Sequence, residues 1–297
     1  MKNIVIAAGY ATRLGELTKN FPKPLLKIGE NTILGRMLDD IDRIPEIDEH
    51  IIITNHKFAP IFAQWAKDQG QRELVEGEAP SDLRPRTSDR RWVKPITIVD
   101  DGTETNETRL GAVRDLIYAI NGGVIPGDKE FAIVNSPLGT CDAFTKATGR
   151  LKELSIINDD LLVVAADNLL FFSFQEFVDF ARAKGTSCIM CHEQPSIEKL
   201  QRTGVVELDE NNRVVGMEEK PQVPKSHWAV PPFYIYLKKD LDLVRHSVEN
   251  GCGKDAPGNL AHYMVEHTTM HAWPMSAGRF DIGSLDTYYE AVKRFSN

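Results

Sequence analysis

The sequence predicts an α/β protein with a Rossmann-like, mainly parallel mixed sheet that is flanked by helices. Apolar runs of strand length alternate with segments whose apolar residues recur every three or four positions, as in helices that cover both faces of a parallel sheet. Polar or glycine-containing loops directly follow several of these runs, where open parallel sheets bind their ligands. With 297 residues and 42% hydrophobic content, the chain can bury a substantial core.

The predicted elements alternate along the first half of the chain. Strands are predicted at 2–8, 50–56, 94–101 and 160–170, with a less regular candidate at 130–136, and helices at 32–44, 59–67 and 109–120. The polar, proline-interrupted residues 70–92 predict a long exposed connection.

The second half continues with an amphipathic helix that ends at Gly185, followed by the strand SCIMCHE at 187–193. The segment GVVELDENNRVVGMEEKP predicts two strands joined by a turn centred on two asparagines. A strand at FYIY then runs into a helix, and a last helix is predicted near SLDTYYEAVKRFS.

Composition excludes some classes of function. The net charge of −8 argues against a nucleic-acid-binding protein, which needs a basic face. We see no signal-peptide pattern and no apolar run of the roughly 18 residues that a membrane span requires. We therefore expect a cytoplasmic protein without a membrane partner.

The cysteines predict neither a disulfide framework nor a metal site. Cys141, Cys188, Cys191 and Cys252 are few and scattered. Residues 188–192 match the C-x-x-C-H pattern of haem attachment, but that attachment requires export, and a zinc site would need a second ligand pair. We interpret them as apolar residues of a buried strand.

The stretch GYATRLGELTKNFPKPLL suggests binding of an anion after the first strand. Gly9 and the small Ala11 allow backbone N–H groups to approach phosphate oxygens. Arg13 adds a planar fork of donors, and Lys23 is a cation restrained by a proline on each side. The loop matches neither the P-loop pattern nor the dinucleotide-binding glycine pattern.

Acidic side chains follow two other predicted strands. Asp167 comes after LLVVAA and Asp281 lies in RFDIG, so both are candidates for a magnesium site, with capping of the next helix as the alternative. Glu219 and Lys220 follow VVGME, and they could contact sugar hydroxyls and a phosphate or form an ordinary surface pair.

Taken together, these motifs resemble those of the sugar-nucleotide pyrophosphorylases, the NTP:sugar-1-phosphate nucleotidyltransferases. The family's GxGTRL loop and PKPLL motif correspond to residues 9–14 and 22–26. VVAADN, GVVELDENNRVVGMEEKP and RFDIGS follow in the family's order, so the resemblance covers most of the chain. It implies a GT-A-like fold in a single domain over 1–297, with a nucleotide-binding half at about 1–170 and a sugar-phosphate-binding half at about 171–297.

The resemblance also implies roles for individual residues. The residues implied to bind the triphosphate are Ala8, Gly9, Tyr10, Ala11 and Thr12. The implied catalytic cations are Arg13 and Lys23, and the implied metal ligands are Asp167 and Asp281. The residues implied to bind the sugar phosphate are Asn168, Gly204, Glu219 and Lys220. The implied reaction is in-line attack of a sugar-1-phosphate oxygen on the α-phosphorus, with Mg²⁺ or Mn²⁺ as cofactor and no protein nucleophile.

Two of the departures from the family pattern concern the nucleotide site. Ala11 replaces the usual second glycine, so a positive φ there would be strained. The motif that contacts the base has two candidates, Gly139 with Thr140 in PLGTC and Gly111 in TNETRLGA. We favour Gly139, and if Gly111 has this role, 122–155 is an insertion.

Three functions are compatible with these residues. The leading hypothesis is the sugar-1-phosphate nucleotidyltransferase, and a cytidylyltransferase of a phosphorylated alcohol such as phosphocholine or inositol phosphate is a variant of it. A non-catalytic regulator that binds a nucleotide sugar belongs to a different class. The base, the sugar and assembly into a homo-oligomer are left open by the sequence.

Overall fold

The structure, a computed structural model, describes residues 1–69, 92–125 and 156–295. The strands are β1 (Lys2–Ile6), β2 (Lys27–Ile28), β3 (Asn31–Thr32), β4 (Glu49–Thr54), β5 (Ile96–Asp100), β6 (Leu161–Ala165), β7 (Asn168–Leu170), β8 (Ser187–Glu193), β9 (Gly204–Leu208), β10 (Val214–Glu219), β11 (Trp228–Val230), β12 (Phe233–Tyr236), β13 (Met270–Pro274) and β14 (Arg279–Asp281). The helices are α1 (Glu16–Lys19), α2 (Ile33–Ile41), α3 (Ala59–Asp68), α4 (Ala112–Ile120), α5 (Phe174–Lys184), α6 (Ile197–Leu200), α7 (Leu241–His246), α8 (Pro257–His267) and α9 (Leu285–Phe295).

A mixed sheet of ten strands forms the centre of the described structure. Its strands run in the order β10-β9-β11-β8-β12-β6-β1-β4-β5, and β13 pairs in parallel with β8 beside this path. The four strands β5, β4, β1 and β6 are parallel. β12 joins them to the second half of the sheet by antiparallel pairing with β6 and β8. The predicted fold class is confirmed.

Side chains of the parallel strands alternate between two cores, as the period of two requires. Ile4 and Val163 face one core, which α4, α7 and α8 cover. Val5 and Val164 face the other core, which α2, α3 and α5 cover. Because both faces are covered, the apolar runs of β1, β4 and β6 do not alternate with polar residues.

A third core joins the beginning of the chain to its last described helix. Leu14, Leu26 and Ile28 pack against Ile282 and Ala291, and α9 therefore lies against the loop that follows β1. Tyr288 adds a hydrogen bond from its hydroxyl group to the carbonyl of Lys27, at 3.0 Å.

The predicted single strand over 160–170 was wrong. The chain forms β6, turns at Asp167 and continues as β7, which leaves the main sheet and pairs antiparallel with β14. The apolar run gives no sign of this break, because its cause is the partner strand more than a hundred residues further on. The helix predicted at 109–120 begins at Ala112, because Gly111 has a φ of 92°.

Other local predictions are confirmed or lie outside the described residues. The turn between β9 and β10 contains Asn212 at a φ of 62°, and Gly185 ends α5 at a φ of 63°. Residues 130–136 and nearly all of the predicted connection at 70–92 lie outside the described ranges. In the part of the chain that the structure describes, no helix is both long and apolar enough to cross a bilayer.

The C-x-x-C-H segment is part of β8, as predicted. Cys188 and Cys191 are buried free thiols, and burial raises their pKa values to about 11 and about 12. Burial, and then the charge of Arg279, lowers the pKa of His192 to about 4. At neutral pH these groups are therefore uncharged, as expected for side chains of a covered strand.

Candidate active site

The loop after β1 turns sharply where the sequence predicted a phosphate-binding backbone. Ala8 is buried at the end of the strand and Gly9 is exposed. Ala11 adopts the left-handed conformation, with φ 48° and ψ 39°, which is unusual for a residue with a side chain. The hydroxyl group of Thr18 donates to the Ala11 carbonyl at 2.8 Å. The strain anticipated at Ala11 is present, and this hydrogen bond helps to hold it.

Arg13 lies on a short 3-10 turn that one apolar side chain anchors. The turn spans Thr12–Leu14, with Leu14 buried in the third core and Arg13 exposed. Gly15 follows at φ 56° and ψ −128°, a region that side chains rarely permit. The guanidinium group is thus presented to solvent beside the loop.

Lys23 is held in place despite its charge. Its side chain is 10% exposed and its Nζ donates to Asp167 Oδ2 at 3.0 Å. Pro22 is extended before it, and Pro24 lies with it in a second 3-10 turn, Lys23–Leu25. The prolines fix the backbone, so the cation is directed at the acidic end of β6 rather than at bulk solvent.

Asp167 and Asp281 lie side by side. The β7–β14 pairing aligns Asn168 with Asp281, and the amide of Ile282 donates to the carbonyl of Asp167 at 3.0 Å. Partial desolvation, then the nearby Asp167 carboxylate, raises the pKa of Asp281 against the charges of Arg279, Lys23 and Arg13, although its side chain is 57% exposed. Residues predicted from three distant segments are therefore brought together at the carboxyl ends of β1 and β6.

Arg279 belongs to this group and was not predicted from the sequence. Its Nη1 donates to Asn168 Oδ1 and lies 3.8 Å from Asp281 Oδ1. Asn168 in turn donates to Asp167 Oδ1 at 2.7 Å. Arg279 is two residues before Asp281 on one strand, so both project from the same face, and this spacing is the signal that could have revealed it.

The acidic pair suits a divalent cation that also binds phosphate. Mg²⁺ prefers one or two carboxylates together with phosphate oxygens and water, and Asp167 and Asp281 supply two hard oxygen ligands from adjacent positions. Within the described ranges, no three His, Cys, Asp or Glu side chains are grouped as a metal site. The donor set therefore fits magnesium and does not resemble a structural zinc site.

A second group of predicted residues lies at the junction of β9 and β10. Gly204 is paired with Glu219, and the amide of Lys220 donates to the Thr203 carbonyl at 3.1 Å. Lys220 has a φ of 52° and its Nζ is 3.8 Å from Glu219 Oε1. Burial raises the pKa of Glu219, whereas Lys220 lowers it. The arrangement offers one acceptor and one exposed cation.

The two candidates for the base site differ in what can be described. Gly139 and Thr140 lie outside the described residues, so their role stays a prediction. Gly111 precedes α4, at the carboxyl end of the parallel strands. The amides of Ala112 and Val113 donate to the carbonyls of Asp255 and Lys254, both at 3.1 Å. The start of α4 is therefore occupied by another loop of the protein.

We expect Gly111→Ala to act mainly through stability. A Cβ at Gly111 would lie 2.6 Å from the Lys254 carbonyl oxygen, and the φ of 92° is unfavourable for a side chain. The free energy of unfolding should fall by roughly 2 kcal/mol or more, measured by urea denaturation. Gly185→Ala is the matched control, because it has a φ of 63° but no atom within 4 Å. Equal losses in both variants would show that the contact with Lys254 is unimportant.

A buried carboxyl pair supports the loop beside Tyr10. Asp101 accepts hydrogen bonds from the amide and the hydroxyl of Thr103, both at 2.7 Å, and the Tyr10 hydroxyl donates to the Thr103 carbonyl at 3.0 Å. Burial raises the pKa of Asp101 to about 6. Burial, then the charge of Asp101, raises the pKa of Asp115 well above its ordinary value. One of the two carboxyls therefore keeps its proton well above the ordinary range for aspartate.

This pair should make stability fall as pH rises. Between about pH 4 and 6 the folded protein binds more protons at Asp101 than the unfolded chain, so linkage lowers the free energy of unfolding with increasing pH. Asp115→Asn removes one titrating group and should reduce the loss between pH 5 and pH 8 by on the order of 1–3 kcal/mol. Urea denaturation at both pH values tests this, with the exposed Asp242→Asn as control. An unchanged pH dependence in Asp115→Asn would contradict it.

Comparison with known proteins finds a matching family and related sequences. The sequence model of the family described as "Nucleotidyl transferase" matches residues 2–297. Glucose-1-phosphate adenylyltransferase from Fervidobacterium nodosum is 22% identical over 98% of this chain and 60% of its own length. Glucose-1-phosphate thymidylyltransferase from Neisseria meningitidis is 29% identical over 54% of this chain and 55% of its own length. The chain thus spans little more than half of these relatives.

Solved structures share the fold over the whole chain. A putative glucose-1-phosphate thymidylyltransferase from Bacillus anthracis, in complex with a sucrose, superposes with a TM-score of 0.68 at 17% identity. The match covers 100% of this chain and 96% of that one. It concerns the architecture, and the assignment of chemistry depends on the site residues described above.

Proposed function

Because the chain belongs to the nucleotidyl transferase family, we propose that it joins a nucleoside triphosphate to a sugar-1-phosphate, with release of pyrophosphate. The observation that carries this proposal is the meeting of Lys23, Asp167 and Asp281 beside the loop that bears Arg13. Cations and paired carboxylates together suit a triphosphate bound with a metal. Binding alone does not require all four groups, so they favour an enzyme over a regulator.

In the proposed reaction a phosphate oxygen of the sugar-1-phosphate attacks the α-phosphorus of the triphosphate. A new P–O bond forms as the bond between the α-phosphorus and the bridging oxygen breaks, and pyrophosphate leaves with the electron pair. Backbone N–H groups of residues 8–12 would hold the triphosphate, and Arg13 and Lys23 would neutralise the charge that develops on it. Positioning and charge stabilisation account for the catalysis, since the reaction needs no nucleophile from the protein.

Asp167 and Asp281 would hold Mg²⁺, or Mn²⁺ in its place. When bound, the cation supplies charge neutralisation at the phosphate oxygens. In the described structure Lys23 contacts Asp167 Oδ2, so the lysine balances the acidic pair. Asn168 would orient Asp167 by donating to it, and Arg279 on β14 would hold Asn168 on β7 by donating to its side chain.

We assign the acceptor to the second half of the chain, at about 171–297. Glu219 would accept hydrogen bonds from sugar hydroxyls, Gly204 would leave room for the Glu219 carboxylate, and Lys220 would bind the sugar's phosphate. The nucleotide belongs to the first half, at about 1–170. We place the protein in the cytoplasm, because its substrate would be a nucleoside triphosphate and because three cysteines of the described residues are buried free thiols.

Pyrophosphate release from a matrix of substrates tests the proposal. Each nucleoside triphosphate is combined with sugar-1-phosphates, phosphocholine and inositol phosphate, in the presence of Mg²⁺. We expect release with at least one sugar-1-phosphate. Release only with a phosphorylated alcohol would support the cytidylyltransferase variant, and binding of nucleotide sugars without any release would support a regulator.

A further inference from the structure

We propose that Gly258 is a positioning residue for the acceptor substrate, because the space left by its missing side chain holds the carboxylate of Glu219. The proposal rests on the proposed function, in which Glu219 binds the hydroxyl groups of a sugar phosphate. It extends the acceptor site to α8, a helix that the sequence motifs do not include.

The contact is closer than any side chain at position 258 would permit. A Cβ built on Gly258 lies 1.8 Å from Oε2 of Glu219 and 2.7 Å from its Cδ. A Cβ at Gly204 would also lie close, 3.1 Å from the same Oε2. The carboxylate is therefore packed against two glycines, and its side chain is only 16% exposed.

Backbone conformation does not explain this glycine. Gly258 lies in the first turn of α8 and is not at a positive φ. Glycine within a helix is disfavoured relative to alanine, so alanine would suit the backbone at this position. The feature of the structure that requires glycine here is the carboxylate of Glu219.

The helix itself is fixed and cannot withdraw from an added methyl group. His262 Nδ1 donates to the Met217 carbonyl on β10 at 2.6 Å. Leu260, Ala261 and Met264 are buried in the core beneath. The preceding carbonyls, of Lys254 and Asp255, accept hydrogen bonds from α4. An added methyl group would therefore displace the mobile end of Glu219 and leave the helix in place.

The displaced carboxylate should lose its alignment with the acceptor. In Gly258→Ala we expect the KM for the sugar-1-phosphate to rise about tenfold to a hundredfold, as for the loss of a hydrogen bond to a charged group. The KM for the nucleoside triphosphate should be unchanged. The melting temperature should be unchanged or slightly higher. A merely structural role would instead lower the melting temperature and affect both substrates.

Gly216→Ala is the matched control. A Cβ at Gly216 would lie 2.8 Å from Oε1 of Glu207, so this change also displaces a glutamate on the same sheet, but one outside the site. Its KM values should equal those of the unaltered protein. In a Glu219→Ala background, Gly258→Ala should have no further effect on the KM for the sugar phosphate. An equal rise with and without Glu219 would overturn the proposal.

A crystal structure of Gly258→Ala separates this inference from the proposed function. We expect the Glu219 carboxylate to move while α8 keeps its place. If α8 moves and the carboxylate stays, the inference is wrong, whatever the activity. If the carboxylate moves as expected but no substrate pair releases pyrophosphate from the unaltered protein, the proposed function fails and Gly258 still positions Glu219.

Discussion

Lys23→Ala is expected to lower turnover by about 10²–10³-fold, the usual cost of losing one charge contact in a transition state. The ammonium group is held within 3.0 Å of Asp167 by a backbone that two prolines restrain. It is thus already next to Asp167, one of the two carboxylates that would hold the metal of the bound triphosphate. Because we assign it to the charge that develops on the leaving pyrophosphate, its loss should reduce kcat more than it alters KM. Initial rates of pyrophosphate release provide the measurement.

Two further variants distinguish this loss from misfolding. Lys23→Met keeps the apolar stem and should fold like the unaltered protein, yet be as slow as Lys23→Ala. Lys19→Ala removes an exposed lysine of the same loop, whose partner is Glu16, and should keep normal turnover. Near-normal turnover in Lys23→Met would refute the assignment of this lysine to phosphate chemistry.

Asp281→Asn is expected to raise the Mg²⁺ concentration needed for half-maximal rate by at least about 10–100-fold. Losses of that size follow even the mutation of residues that only hydrogen-bond to a metal ligand, at about 10–100-fold in metal affinity. Asparagine has the same shape but lacks the negative charge that a hard cation prefers. The same change removes an unfavourable charge, since desolvation and then the Asp167 carboxylate raise the pKa of Asp281. The melting temperature without metal should therefore stay the same or increase while activity falls.

Metal titrations of the two aspartate variants provide the test. Asp167→Asn should behave similarly, although it also removes the negative charge of the partner of Lys23. Asp286→Asn, in the first turn of α9, is a control that should leave the Mg²⁺ dependence unchanged. Full activity of the unaltered protein in excess chelator would mean that these aspartates have no metal to bind.

The parallel centre of the fold could be predicted because each of its strands is encoded locally. Ile4 and Ile51 lie in short apolar runs that polar loops interrupt, and such runs specify covered strands without information from elsewhere. The loop after β1 could be proposed as a phosphate site for the same reason, since Arg13 and Lys23 lie in one continuous motif.

The features that sequence reasoning missed depend on distant pairings. The turn at Asp167 exists because β7 pairs with β14, and Arg279 becomes part of the site through the same pairing. Helix α8 did carry a local signal, with Pro257 at its start and apolar residues at 260, 261 and 264. That signal predicts a helix but not its contact with Glu219, which depends on where the helix packs against β10.

The third core also has a consequence for how the protein is made. The loop after β1 is supported by Leu14, but the apolar partners of Leu14 include Ile282 and Ala291. At a translation rate of ~5–20 residues per second, Leu14 and Ala291 are synthesised roughly 14–55 s apart. A ribosome-bound chain therefore carries the arginine loop long before α9 exists to support it. The loop after β1 is therefore expected to gain this support only once α9 has been made, so a chain that stops before α9 should not hold Arg13 in the position that the structure shows.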